Sequence, residues 1–231
     1  MRRRLAKVHG GSVCAKVTLL GIAYLVLSVV VAKAILVFLS FLNAILTPVP
    51  LGAVLGIFAA VGIAMFLVPI IPGVPVYICA GVLIPNVMLS DEERADVNNP
   101  TAPPSFWLGL LIACGLSVAL KFAAIVLQQE VIGRRLGRYV AVRAACAVNS
   151  RFIRAARFVL TRPGCSYGKA AILVGGPDWP TSVLTGILRL PCAQMLAGST
   201  PVVALIVPST ALGACLLMAR RPGWDAAASL M

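Results

Sequence analysis

Few side chains in this sequence can do acid–base or ligand chemistry, and their positions narrow the options quickly. There is one histidine, His9, and seven acids, of which Asp91, Glu92, Glu93 and Asp96 crowd one polar stretch. Of the others, Asp178 and Glu130 adjoin apolar segments, while Lys33 and Lys121 are cations inside apolar runs. Hydrolysis or acyl transfer wants a Ser–His or paired-carboxylate constellation, or His-Glu-x-x-His around zinc. One histidine near the N-terminus and one acid in an apolar hairpin supply none of these, so no enzymatic activity is expected. The cysteines at 14, 79, 114, 146, 165, 192 and 215 are scattered and form no Cys-x-x-Cys. They read as reduced small residues, with no metal site and no cofactor expected. Lys121 and Asp178 can instead pair with one another in a low-dielectric region, or present opposite charges to a polar group passing through it.

The elements that must place these groups are two proline-broken apolar stretches. Phe66–Pro85 returns when the sequence is slid by 105 residues: Pro72 falls on Pro177, Pro75 on Pro180 and Gly81 on Gly186. Leu67 and Val68 then fall on Ile172 and Leu173, and Val82 and Leu83 on Ile187 and Leu188. Each copy is an apolar arm, a Pro-x-x-Pro break and a short return arm ending near Pro85 or Pro191. Proline lacks a backbone donor and pushes its predecessor out of helical dihedrals, so neither copy is predicted to be one straight spanning helix. In lipid such a break survives only under protein or in a water-filled cavity, and matched breaks in two halves of a chain mark a midplane site.

With 231 residues, 60 % hydrophobic and only 12 % charged, and a mean hydropathy of +0.99, the composition is that of a polytopic membrane protein. A net charge of +13 alone would suit nucleic acid, but the cations flank apolar segments without interleaved aromatics, so no nucleic-acid partner is expected. Residues 1–16, with Arg2, Arg3, Arg4, Lys7 and Lys16, read as a basic cytosolic N-terminus, and residues 17–218 as a single membrane domain. Val17–Leu46 is too long for a signal core and reads as a retained anchor helix, in which Lys33 snorkels or faces protein. The first hairpin is placed at 51–84, its entering arm carrying a ladder of Gly52, Gly56, Ala60 and Ala64 for close helix approach. The acidic, proline-rich loop of residues 86–105 is expected to be extended, solvated and outside the cytosol.

A spanning helix follows at 106–130, with Cys114, Ser117, Lys121, Ala124 and Gln128 on one face and Glu130 off that face, interfacial. Arg134, Arg135, Arg143, Arg151, Arg154, Arg157 and Arg162 follow without an intervening acid. Residues 138–162 are expected as one interfacial amphipathic helix that fixes topology or gathers anionic headgroups, with Phe158 misplaced on its basic side. The second hairpin is placed at 170–190, the last span at 192–218 and a tail at 219–231, where Arg220 and Arg221 sit on the wrong side of the membrane for the layout. The fold class predicted is therefore an all-α inverted repeat of re-entrant hairpin and transmembrane helix, with an N-terminal anchor and a basic amphipathic helix.

Three pieces of this pattern resemble the DedA/VTT-domain superfamily, the SNARE-associated Golgi proteins. Phe66–Gly81, with Pro72-Gly73 and Ala80-Gly81, resembles its F-x-x-P-G element. Ile132-Gly133-Arg134-Arg135-Leu136-Gly137 resembles its I-G-R-x-x-G, and Gly176-Pro177-Asp178-Trp179-Pro180 through Gly186 and Gly198 its second-half P-x-x-P element. Val74 stands where bacterial members carry an acid, and Val174–Gly176 where an arginine is expected, so the likeness is to the acid-poor eukaryotic form. The resemblance implies a lipid-scrambling membrane protein of an ER/Golgi-type endomembrane (the plasma membrane if bacterial), with phospholipids as partners. A homo-oligomer or a trafficking protein is the further partner implied. The expected path is lined by Pro72, Gly73, Pro75, Gly81, Ser117, Lys121, Gln128, Pro177, Asp178, Pro180, Thr181, Thr185 and Gly186. Asp178 has a second role open to it, as the N-cap of the return arm. A coupled small-solute or lipid-carrier transporter and a non-transporting interaction protein are the competing expectations.

Overall fold

A computed structural model describes residues 10–222 and 224, apart from 48, 70, 97, 98, 100 and 220. The basic N-terminus through His9, Arg220 and the end of the tail lie outside the described residues. Every regular element among the described residues is helical. Helix α1 spans Gly10–Leu46, α2 Leu51–Leu67, α3 Val74–Met88 and α4 Asp91–Ala95. Helix α5, Pro104–Val126, runs on through a π-helical stretch at Leu127–Gly133 to Leu136. Then come α6 Val140–Ala145, α7 Arg151–Thr161, α8 Tyr167–Gly175, α9 Asp178–Ile187 and α10 Cys192–Ser199. A single 3-10 turn at Thr200–Val202 joins α10 to α11, Val203–Met218. Among the described residues, the continuous helices Pro104–Leu136 and Cys192–Met218 are long and apolar enough to cross a membrane.

Helix α3 is the centre of the fold. It is buried along Val76, Tyr77, Ala80, Leu83 and Ile84 and packs between α5 and α11, with α2 and the end of α1 covering the rest. Close approach depends on glycine. A Cβ on Gly81 would strike the carbonyl oxygen of Thr210 in α11, and one on Gly213 would strike that of Ile78. A second cluster joins Leu160, Leu173, Leu188, Leu190 and Met195 from α7 through α10. Here α9 lies on the π-helical end of α5, where a Cβ on Gly186 would strike the carbonyl of Gln129.

Several elements differ from expectation, each for a local reason. Helix α3 passes through Pro85 to Met88 instead of ending at residue 84. Pro85 is buried, and Gly109 of α5 lies so close that a Cβ there would be 2.6 Å from its Cα, so packing covers the disturbed turn. The basic segment is two short helices, not one. Ala147 takes φ 47°, and the Ser150 hydroxyl accepts from the Ile153 N–H, a helix-start signal that outweighs the continuous wheel. The ladder Gly52, Gly56, Ala60, Ala64 faces away from every other helix; α2 packs instead through Val54, Phe58, Gly62 and Met65.

Within the acidic loop, residues 91–95 are helical rather than extended. Ser90 and Glu93 form a reciprocal capping box at the start of α4. Arg221, expected on the wrong side of the membrane, is buried against this loop, its guanidinium donating to the carbonyls of Glu93 and Thr101. Trp224 packs edge-on to Phe106 at 5.8 Å, holding the same corner.

Bulk at the two crossings should act oppositely to bulk on the free face of α2. Gly81→Val and Gly186→Val should each destabilise by ~3 kcal/mol or more, whereas Gly56→Val, with nothing within 4 Å, should be tolerated in thermal unfolding of the purified protein. The Ser90 backbone N–H, with the Ser105 hydroxyl, holds the Glu93 carboxyl below the usual carboxylate range. Its stabilisation is therefore full above the unfolded value of about 4.3 and lost as pH falls through the lower folded value. Amide protection at residues 90–94, relative to the unstructured exchange rate at each pH, should hold above the unfolded carboxylate value of about 4.3 and fall as pH drops below it, and Glu93→Gln should remove that step.

Candidate functional site

The two chain breaks meet. Pro69, Ile71, Pro72 and Gly73 from the α2–α3 break and Gly176, Pro177, Asp178, Trp179 and Pro180 from the α8–α9 break line one cavity of about 410 Å³. Lys121, Ala124 and Gln128 of α5 form its wall, and Leu205 of α11 closes one side.

The α2–α3 break leaves helix-end carbonyls without intrahelical partners, and side chains lining the cavity supply them. The Gln128 amide donates to the Phe66 carbonyl at 2.7 Å, and the Trp179 indole N–H donates to the Leu67 carbonyl at 3.0 Å. Trp179 belongs to the second break, so one hairpin caps the other. The neighbouring Gln129 amide donates in the other direction, to the Leu190 carbonyl beyond α9, at 2.8 Å. Both glutamines are buried and lie in the π-helical stretch, whose wide turn re-aims consecutive side chains.

The charges within the cavity are Lys121 and Asp178. The Lys121 ammonium lies 2.6 Å from an Asp178 carboxylate oxygen; the lysine side chain is 5 % exposed and the aspartate side chain 45 %. The cation is thus fixed in the wall while the anion opens into the cavity. Asp178 occupies the first turn of α9 after Pro177 and makes no side-chain cap bond, so of its two expected roles it takes the pairing one. Its negative charge at a helix start is favourable in addition.

The remaining expected path residues separate into two sets. Pro72, Gly73, Lys121, Gln128, Pro177, Asp178 and Pro180 lie on the cavity. Pro75 sits in the first turn of α3. Gly81 and Gly186 are the helix crossings described above. Thr181 lies a turn along α9, its hydroxyl beside Gly176. Ser117 is buried 3.5 Å from the Thr210 hydroxyl, and Thr185 donates to the Ser182 carbonyl on its own helix at 2.7 Å. Ser117 and Gly186 therefore pack against residues of neighbouring helices, and Thr185 satisfies a carbonyl of its own helix.

Among the expected surface cations, Arg134 pairs with Glu130 at 2.8 Å, one turn away on the same helix. Arg135, Arg151 and Arg154 are exposed, and Arg162 stacks 4.7 Å above the Phe158 ring, which explains a phenylalanine on the basic face. Sequence reasoning missed Lys169, which is buried and donates to the carbonyls of Arg162 at 2.6 Å and Gly164 at 2.9 Å. Its signal was available as the only cation in the apolar α8. Gln129 and Trp179 were likewise missed, Trp179 despite lying inside Pro-Asp-Trp-Pro.

Comparison of the chain with models of protein families, with curated proteins and with solved structures finds no match. The site is read from its own chemistry.

The unequal burial of the pair predicts unequal mutant costs. Asp178→Leu, which strands a buried ammonium, should destabilise by about 3–5 kcal/mol. Lys121→Met strands a carboxylate that already reaches the cavity, and should cost about 1 kcal/mol. The double variant should recover most of the Asp178→Leu loss in a thermal-unfolding cycle; additive losses would show that the ion pair does not couple the two sites.

Proposed function

We propose that this is a non-enzymatic integral membrane protein that moves phospholipids between leaflets without energy input, in an endomembrane of the ER/Golgi type. The observation that carries the reading is the Lys121–Asp178 pair set in a cavity to which both proline breaks contribute. A buried ammonium and a carboxylate beside helices of spanning length and hydropathy have little reason to exist facing lipid. A zwitterionic headgroup carries the same two charges. It can displace the pair, phosphate to Lys121 and ammonium to Asp178, so that no net charge is stranded while the headgroup passes and the tails remain in lipid.

The architecture favours the same reading. Gly81 and Gly186, related by the 105-residue repeat, each pack against the long helix that follows the other hairpin: α11 for Gly81, α5 for Gly186. Reciprocal crossing of this kind fits two inverted halves meeting at mid-depth, as the likeness to the DedA/VTT superfamily implies. A second reading, an ion-coupled transporter, draws on a separate fact: Asp178 is the only carboxylate lining the cavity.

Reconstitution into vesicles with a fluorescent phosphatidylcholine tests both. The purified protein should expose inner-leaflet lipid to dithionite beyond the level of empty vesicles, without an imposed gradient. Lys121→Met/Asp178→Leu should slow this by about tenfold, ~1.4 kcal/mol on the barrier, while remaining folded. Flux that appears only under a proton or ion gradient and vanishes in Asp178→Asn would replace scrambling with coupled transport. A folded protein that moves no lipid under either condition would leave the interaction-protein reading.

A further inference from the structure

A second pocket lies away from the cavity, where the turn after α9 meets the basic segment. It measures about 250 Å³, and Arg143 of α6, Asn149, Arg157 of α7 and Arg189 line it over an apolar floor of Val148 and Leu188. No carboxylate lines it, and none of the ion pairs among the described residues involves these arginines. Three arginines line one recess, an arrangement of like charges that an anion between them would relieve.

The backbone is arranged to bring them there. Arg189 takes φ 53° at the end of α9, a left-handed position where glycine is the usual residue, and its N–H bonds the Gly186 carbonyl at 2.9 Å. Ala147, beside Val148 and Asn149, is the other non-glycine residue with positive φ among the described residues. Both left-handed residues thus flank the same recess, and an arginine stands where glycine would be less strained.

We propose that this recess is a binding site for a phosphate monoester. Guanidinium forks match phosphate oxygens, and a monoester carries nearly two charges where a diester carries one. The volume is below the roughly 300–1,000 Å³ of pockets that enclose a whole small molecule, which suits a phosphate group whose remainder stays outside. Such a group is supplied by the headgroup of phosphatidic acid or by free phosphate. The site is independent of the Lys121–Asp178 cavity and stands or falls separately from the lipid-moving reading.

The test is binding to the full-length protein purified in neutral detergent, titrated with short-chain phosphatidic acid, short-chain phosphatidylserine and inorganic phosphate. Phosphatidic acid should bind saturably and at least about tenfold more tightly than phosphatidylserine. Arg189→Gly, which keeps the left-handed turn and removes the guanidinium, should weaken it by about tenfold or more without loss of folding. Arg151→Gln/Arg154→Gln, which removes two exposed charges outside the recess, should change it by less than about twofold. Competition by inorganic phosphate at similar concentration identifies free phosphate as the ligand; failure to compete identifies the lipid headgroup. Equal binding of both lipids, equal loss in the two arginine variants, or no saturable binding of either monoester overturns the proposal.

Discussion

The structure depends on what happens to backbone groups where the chain stops being helical in an apolar setting. A break at Val68–Gly73 or at Gly176–Pro177 frees carbonyls that no water reaches if lipid surrounds them, at a cost of several kcal/mol each. Gln128 and Trp179 take up the Phe66 and Leu67 carbonyls, and that requirement brings the second hairpin and α5 against the first. The cavity is a by-product of this capping. Two proline-rich segments cannot pack as smooth cylinders, so the space between them remains open and polar, and Lys121 and Asp178 occupy it.

The parts of the fold that follow from periodicity and punctuation were legible in the chain. Pro72, Pro177 and their neighbours mark both breaks, and the stripe of Ser117, Lys121, Ala124 and Gln128 marks the inward face of α5. Features set by tertiary partners were not. Pro85 lacks the neighbouring Pro and Gly residues that accompany Pro72, and it is carried within a helix where Gly109 comes close. The small-residue ladder of α2 was readable as a packing surface, yet the helix turns its larger residues inward because Phe58 and Met65 fill the space beside α3.

Side chains that bond distant carbonyls were the hardest to see. Lys169, Gln129 and Arg221 each satisfy backbone groups, and a basic or amide residue carries no sequence mark of which carbonyl it will reach. Arg221 shows the effect on a topological argument. Counted as a free charge it contradicts a positive-inside layout, whereas a guanidinium engaged by carbonyls of the acidic loop is part of that loop's structure and says little about the side of the membrane.

The wide turn at Leu127–Gly133 has its own consequence. A π turn accommodates a surplus residue within an otherwise regular helix. Here the surplus works as a spacer that lets Gln128 serve one hairpin and Gln129 the other. Removing one residue from it would rotate everything beyond by roughly 100°, swinging Gly133, which packs against Val183 and Gly186, and the Glu130–Arg134 pair around the axis. The helix would keep its length and apolar character, yet Gln128 and Gln129 would no longer reach the Phe66 and Leu190 carbonyls together.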